Sequence, residues 1–115
     1  MFRTNISTLS DSDLYEHTVV RLESIGHIVK TKEAIKLLKL METRPILDAD
    51  LAEAAKKCIT ELKAKLMPQT SSDYWYDNFV GRSGEVQPQD LNEIASLVEE
   101  RRTQIQFLNA VLSRL

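Results

Sequence analysis

The sequence predicts an all-α fold: a four-helix bundle, antiparallel in order, with a long heptad-patterned C-terminal helix and an aromatic-rich crossing loop before it. Three observations carry that expectation. Three glycines and three prolines in 115 residues sit between apolar periodic stretches, where they read as breaks between helices. Steps of three and four residues from Leu91 meet Ile94, Val98, Arg101, Ile105, Leu108, Leu112 and Leu115, so that seven of eight positions are aliphatic. Three earlier stretches repeat apolar residues at helical spacing and carry their own start signals.

Residues 1–10 lack periodicity and are expected to form a flexible arm, with Phe2, Ile6 and Leu9 able to tuck against the bundle. Residues 11–115 form a single helical domain. Ser10 followed by Asp13 supplies a hydroxyl acceptor and a carboxylate at a helix start, which predicts a first helix from Asp11 to Ile25. Its face is Leu14, Thr18, Leu22 and Ile25, widened by Tyr15 and Val19. Gly26 is the expected stop in a left-handed conformation.

Thr31 is read as the cap of a second helix from Lys32 to Thr43, whose apolar residues Ala34, Ile35, Leu37, Leu38, Leu40 and Met41 cover nearly half its circumference. Pro45 blocks its extension. Asp48 caps a third helix, from Ala49 to Met67, ended by Pro68, with Leu51, Ala55, Ile59, Leu62 and Leu66 on one face.

Residues 68–87 read as the crossing segment, with a short helical turn from Tyr74 to Val80, capped by Ser72 or Asp73. Gly81 and Gly84 then release the chain. Pro88 suits the first turn of the last helix, which runs to Leu115. At about 1.5 Å per residue that helix spans about 42 Å, more than a compact domain of this size requires. It either forms the spine of an elongated bundle or reaches a partner, in coiled-coil fashion, with a homodimer as one form.

Composition narrows the function classes. The net charge is −2, and residues 68–115 carry 4 basic against 7 acidic side chains, the wrong sign for a basic arm on phosphate. The single cysteine, Cys58, allows no intrachain disulfide and no cysteine-based zinc site. The N-terminus lacks the apolar run of a signal peptide and no stretch is long enough to span a bilayer, so a cytoplasmic location without membrane contact is expected.

Chemistry finds little footing. His17 and His27 follow Asp13 and Glu23 by four residues, not the glutamate-to-histidine spacing of three used by di-iron bundles. Glu99 and Glu100 point about 100° apart on a helix and do not converge on a substrate. Cys58 sits beside an apolar seam with no histidine near it in sequence. Gly81-Arg82-Ser83-Gly84 lacks the spacing and lysine of a nucleotide loop. No catalytic residue, metal site or cofactor is expected.

The sharpest local signal is the cluster Tyr74, Trp75, Tyr76 and Phe79, which holds the only tryptophan. It reads either as a roof over one end of the bundle or as a protein-binding patch, because tryptophan and tyrosine dominate interface hot spots. Asp73 and Asp77 argue against stacking on nucleic-acid bases. Arg101 interrupts the last helix's seam and Arg102 follows it, with a guanidinium escaping to water or pairing with a helix acid as the simpler reading. The expectation is a protein–protein interaction module, acting as an adaptor, chaperone-like subunit or inhibitor. Its partner-binding residues would be Tyr74, Trp75, Tyr76, Phe79, Arg101, Arg102, Ile105, Leu108 and Leu112. The alternative is a nucleic-acid-binding regulator using the lysines of helices two and three (Lys30, Lys32, Lys36, Lys39, Lys56, Lys57, Lys63 and Lys65), against which the interspersed glutamates argue for an ordinary salt-bridged surface.

Overall fold

The computed structural model describes the backbone of residues 5–44, 48–83 and 88–115, with side chains throughout these except at 78–83, 88 and 89. The described chain is all-helical: α1 Asp11–Leu22, α2 Thr31–Thr43, α3 Ala49–Leu66, α4 Ser72–Ser83 and α5 Pro88–Arg114, with 3-10 turns at Ile6–Thr8, Glu23–Ile25 and Met67–Thr70. Four of these helices stand where periodicity puts them. The fifth, α4, replaces most of the expected crossing loop. Gly81, Arg82 and Ser83, read as a turn, are still helical. The roles assigned to Phe2, Pro45 and Gly84 lie outside the described residues.

Caps explain two of the helix starts. The Asp13 amide donates to Ser10 Oγ at 3.2 Å, and the Leu51 amide donates to Asp48 Oδ1 at 2.7 Å, each satisfying an amide that has no partner within its helix. The junction between α1 and α2 differs from expectation. Gly26 is right-handed (φ −56°), and Lys30 (φ 78°) is the left-handed residue. A left-handed non-glycine residue costs about 1–2 kcal/mol, so contacts must hold it. The Lys30 carbonyl accepts from the Ala34 amide at 2.9 Å and from the Cys58 thiol at 3.6 Å, and its ammonium meets Glu61 at 3.3 Å and Glu33 at 3.4 Å. Thr31 is therefore the first residue of α2 rather than its cap, and its buried Oγ1 has no hydrogen-bond partner among the described residues.

α1 packs on α2 and α5, α2 on α3, and α3 on α5. Their shared core includes Leu14, Leu22, Ile25, Leu38, Ile59, Leu62, Leu66, Leu108 and Val111. Ile6 and Leu9 are half-buried against it, because Arg114 donates to the Ile6 and Leu9 carbonyls and pairs with Asp11. Among the described residues α4 packs on α5 and on the Met67–Thr70 turn instead. There Ile94 and Val98 form a second, smaller apolar cluster with Trp75 and Leu97. The molecule is correspondingly long, 52 × 33 × 18 Å, with a radius of gyration of 15.9 Å against about 13 Å for a compact domain of this length.

α5 thus has two halves. Its C-terminal half lies between α1 and α3 and buries a broad arc that takes in Gln104, Ile105, Phe107, Leu108 and Val111. Its N-terminal half buries only Ile94 and Val98 among the described side chains, and Leu91 at the start of the series is exposed. A helix wedged between two neighbours covers more than a coiled-coil seam does, which is why Phe107 and Val111, off the 3.5-residue series, are more buried than Leu112. Among the described residues no helix is long and apolar enough to cross a membrane.

Candidate functional site

The aromatic cluster and the middle of α5 form one connected arrangement. The chain leaves α3 through the 3-10 turn containing Pro68 and enters α4 at Ser71, whose Oγ accepts from the Asp73 amide at 3.2 Å. This cap stands one position ahead of the expected Ser72 or Asp73. Helical geometry then divides the rings between faces. Trp75 turns inward: its indole N–H donates to the Gln69 carbonyl at 2.8 Å and its ring packs against the cluster of Ile94 and Val98. Tyr74 meets Trp75 edge-on at 5.1 Å. Tyr74 and Tyr76 remain 39% and 36% exposed. Phe79 is on α4, and its side chain lies outside the described residues.

Above Trp75 lies Arg101, only 4% exposed. Its guanidinium stands 5.5 Å from the indole centroid, and its Nε–H donates to Gln69 Oε1 at 2.7 Å. One terminal nitrogen donates to Gln104 Oε1 at 3.3 Å and stands 3.7 Å from Glu100. Burial pulls the Arg101 guanidinium below its ordinary pKa range, with the Glu100 carboxylate acting in the opposite direction. An arginine side chain keeps its proton in such a setting, so the cation is buried and must be hydrogen-bonded. Of the two simpler expectations for Arg101, a head group in water gives way to this network, while pairing with a helix acid is met by Glu100 at 3.7 Å.

Gln104 carries the network to α1. Its amide donates to the Arg21 carbonyl at 2.9 Å and to Glu100 at 3.2 Å, while the Ser24 hydroxyl donates to the same carboxylate at 2.7 Å. Gln69, Gln104 and Ser24 are the residues that sequence reasoning missed. One signal was present: Gln104 follows Arg101 by three residues and so shares its face. Gln69 has no comparable signature, since its role depends on the chain turning back after α3. Beside the network a cleft of about 350 Å³ runs between α1 and α5, lined by Val20, Arg21, Ser24, Glu100 and Thr103.

The remaining candidate residues separate by exposure. Arg102 is exposed, Leu112 is half-buried, and Ile105 and Leu108 lie inside the chain's own core. The last two are covered by this chain's helices and are not presented to a partner in this structure. Of the basic candidates on α2 and α3, Lys30 is held by Glu61 and Glu33, whose hydrogen bonds raise its pKa. Cys58 is 3% exposed, and its thiol is pushed up to about 11, mainly by burial. His17 stacks on Phe107 at 6.4 Å rather than facing a carboxylate, and Arg21 covers the same ring at 5.4 Å. Among the described residues no three His, Cys, Asp or Glu side chains are gathered as metal ligands. A second cleft, of about 500 Å³, lies at the opposite end between Tyr15, Glu42, Arg44 and Arg114. Its two guanidinium groups already meet Asp48 and Asp11. Comparison with family models, curated proteins and solved structures finds no match to this chain.

Proposed function

We propose that this chain is a non-catalytic, helical protein-binding module, an adaptor, chaperone-like subunit or inhibitor, that presents the outer face of α4 to a protein partner. The observation that carries this reading is the division of the rings: Trp75 is anchored inward while Tyr74 and Tyr76 stay exposed beside it. Exposed tyrosines on an anchored helix offer contact area with little side-chain freedom to lose, the property that makes tyrosine common at binding hot spots. Exposed Met67 and Leu91, on the segments that flank α4, extend the apolar area. Exposed Asp73, Asp77 and Glu93 would favour a partner with a basic rim.

In this reading the seam of α5 serves mainly as foundation. α1, α2, α3 and α5 are taken as the four helices of an antiparallel bundle, with α4 appended, in a cytoplasmic setting and without a cofactor. Leu112 on the seam and Arg102 beside it are the candidate α5 positions still available to a second chain, including another copy of this one.

The test is affinity capture from native extract with the wild-type chain and with Tyr74→Ser/Tyr76→Ser, quantified by mass spectrometry. Loss of a captured protein at unchanged melting temperature supports the reading. Equal capture by both chains refutes it. Retention on DNA or RNA at low salt that falls steeply with added salt would replace it with the nucleic-acid alternative.

A further inference from the structure

We propose that α4 undocks and redocks as a unit while the rest of the molecule stays folded, and that Trp75 is the latch that holds it closed. Four observations converge on this. Among the described residues α4 rests chiefly on α5 and the Met67–Thr70 turn. Among the described side chains its apolar contact is that of Trp75 with the cluster of Ile94 and Val98, separate from the main core. Between the two clusters stand Arg101 and Gln104, both buried and both polar, so apolar packing is interrupted there.

The hydrogen bonds of the socket, finally, do not run through its occupant. Gln69 Oε1 is held by Arg101, Arg101 by Gln104, and Gln104 by the Arg21 carbonyl. When Trp75 leaves, the Gln69 carbonyl exchanges one donor for water and the Arg101 guanidinium exchanges the indole face for water, while the rest of the chain of hydrogen bonds persists. The sequence of α4, SDYWYDNFVGRS, is rich in residues of modest helix propensity and contains a glycine. A segment of 12 residues does not sustain a helix alone in water, so undocking and unwinding occur together. Local openings of this type are the general behaviour of elements with few buried contacts. The opened state uncovers Ile94, Leu97 and Val98.

Hydrogen exchange of the full-length chain, read by mass spectrometry, tests the proposal alongside fluorescence of the single tryptophan in a urea titration. Trp75 emission is expected to shift at lower urea than the circular-dichroism transition, and α4 amides are expected to exchange ahead of those of α2, α3 and the C-terminal half of α5. Trp75→Phe keeps a ring but removes the N–H donor; it should speed α4 exchange roughly tenfold and leave core exchange unchanged. Ile59→Val, mild enough to fold, should speed core exchange and leave α4 unchanged. Coincident fluorescence and circular-dichroism transitions, core amides that accelerate in step with α4 in Trp75→Phe, or α4 exchange unmoved by that substitution would each overturn the proposal.

Discussion

Substituting leucine for Gln104 nearly conserves volume and helix propensity while removing an amide that is 1% exposed and bonded on both sides. Besides a long bond to the Ser24 hydroxyl (3.5 Å), three hydrogen bonds disappear: those donated to the Arg21 carbonyl (2.9 Å) and to Glu100 (3.2 Å), and the one accepted from Arg101 (3.3 Å). Two of the three involve a charged partner, and bonds of that type contribute about 1.5–3 kcal/mol each when geometry is good. The longer distances and the partial exposure of Glu100 reduce that, giving an expected cost of about 2–4 kcal/mol. Arg101→Met removes a bond to Gln69 but also removes a buried cation, and should cost only about 1–2 kcal/mol. The double variant isolates the coupling. Each single substitution leaves the other residue buried with its polar groups unmet, and the double leaves neither, so its cost should fall short of the sum by at least about 1 kcal/mol. Urea unfolding followed by circular dichroism measures all three. Additivity within about 0.5 kcal/mol, or a cost for Gln104→Leu below about 1 kcal/mol, would refute the claim that these side chains form one network.

Leu108→Ala, at a fully buried position, should cost about 2–5 kcal/mol, whereas Leu91→Ala, in the same sequence series but exposed, should stay within about 0.5 kcal/mol, both by urea unfolding. Asp48→Ala removes the acceptor for the Leu51 amide and should lower stability by about 1 kcal/mol, with Asp48→Asn recovering most of it. Cys58 should resist a disulfide reagent at pH 8 until the chain unfolds. Because its folded pKa of about 11 lies above the usual thiol value, the folded state holds the proton more tightly. Its contribution is therefore full below about pH 9 and lost as pH rises towards about 11, by up to roughly 3 kcal/mol. The difference in unfolding free energy between wild type and Cys58→Ala across that window reads it directly.

Helix identity was legible because local signals agreed with the tertiary outcome. Ser10 and Asp48 sit where a cap must sit, and the apolar residues of α1, α2 and α3 recur with the helical period. What was not legible depends on partners distant in sequence. Gly26 looked like a stop, yet the left-handed residue is Lys30, fixed by contacts to Cys58 and Glu61 on α3. The residues from Tyr74 to Ser83 have low intrinsic helix preference, so only a short turn from Tyr74 to Val80 was legible, and the full α4 emerges once the apolar surface of Ile94 and Val98 is available to pack on. Arg101 was conspicuous as an interruption of the seam, but its burial required Gln69 and Trp75 to fold over it. The periodicity of α5 identified an apolar edge and overestimated how much of it is free, since a 3.5-residue series cannot say which neighbour covers which turn.

The polar band about Arg101 has a consequence for how this protein can change. A substitution among the outward rings of α4 meets no apolar neighbour that continues into the main bundle, so its effects die out within a few residues. Successive variants can redraw the exposed face of α4 at one tip of the rod while the opposite end keeps its shape, and under the proposed function such a chain acquires a new binding preference without first losing its fold.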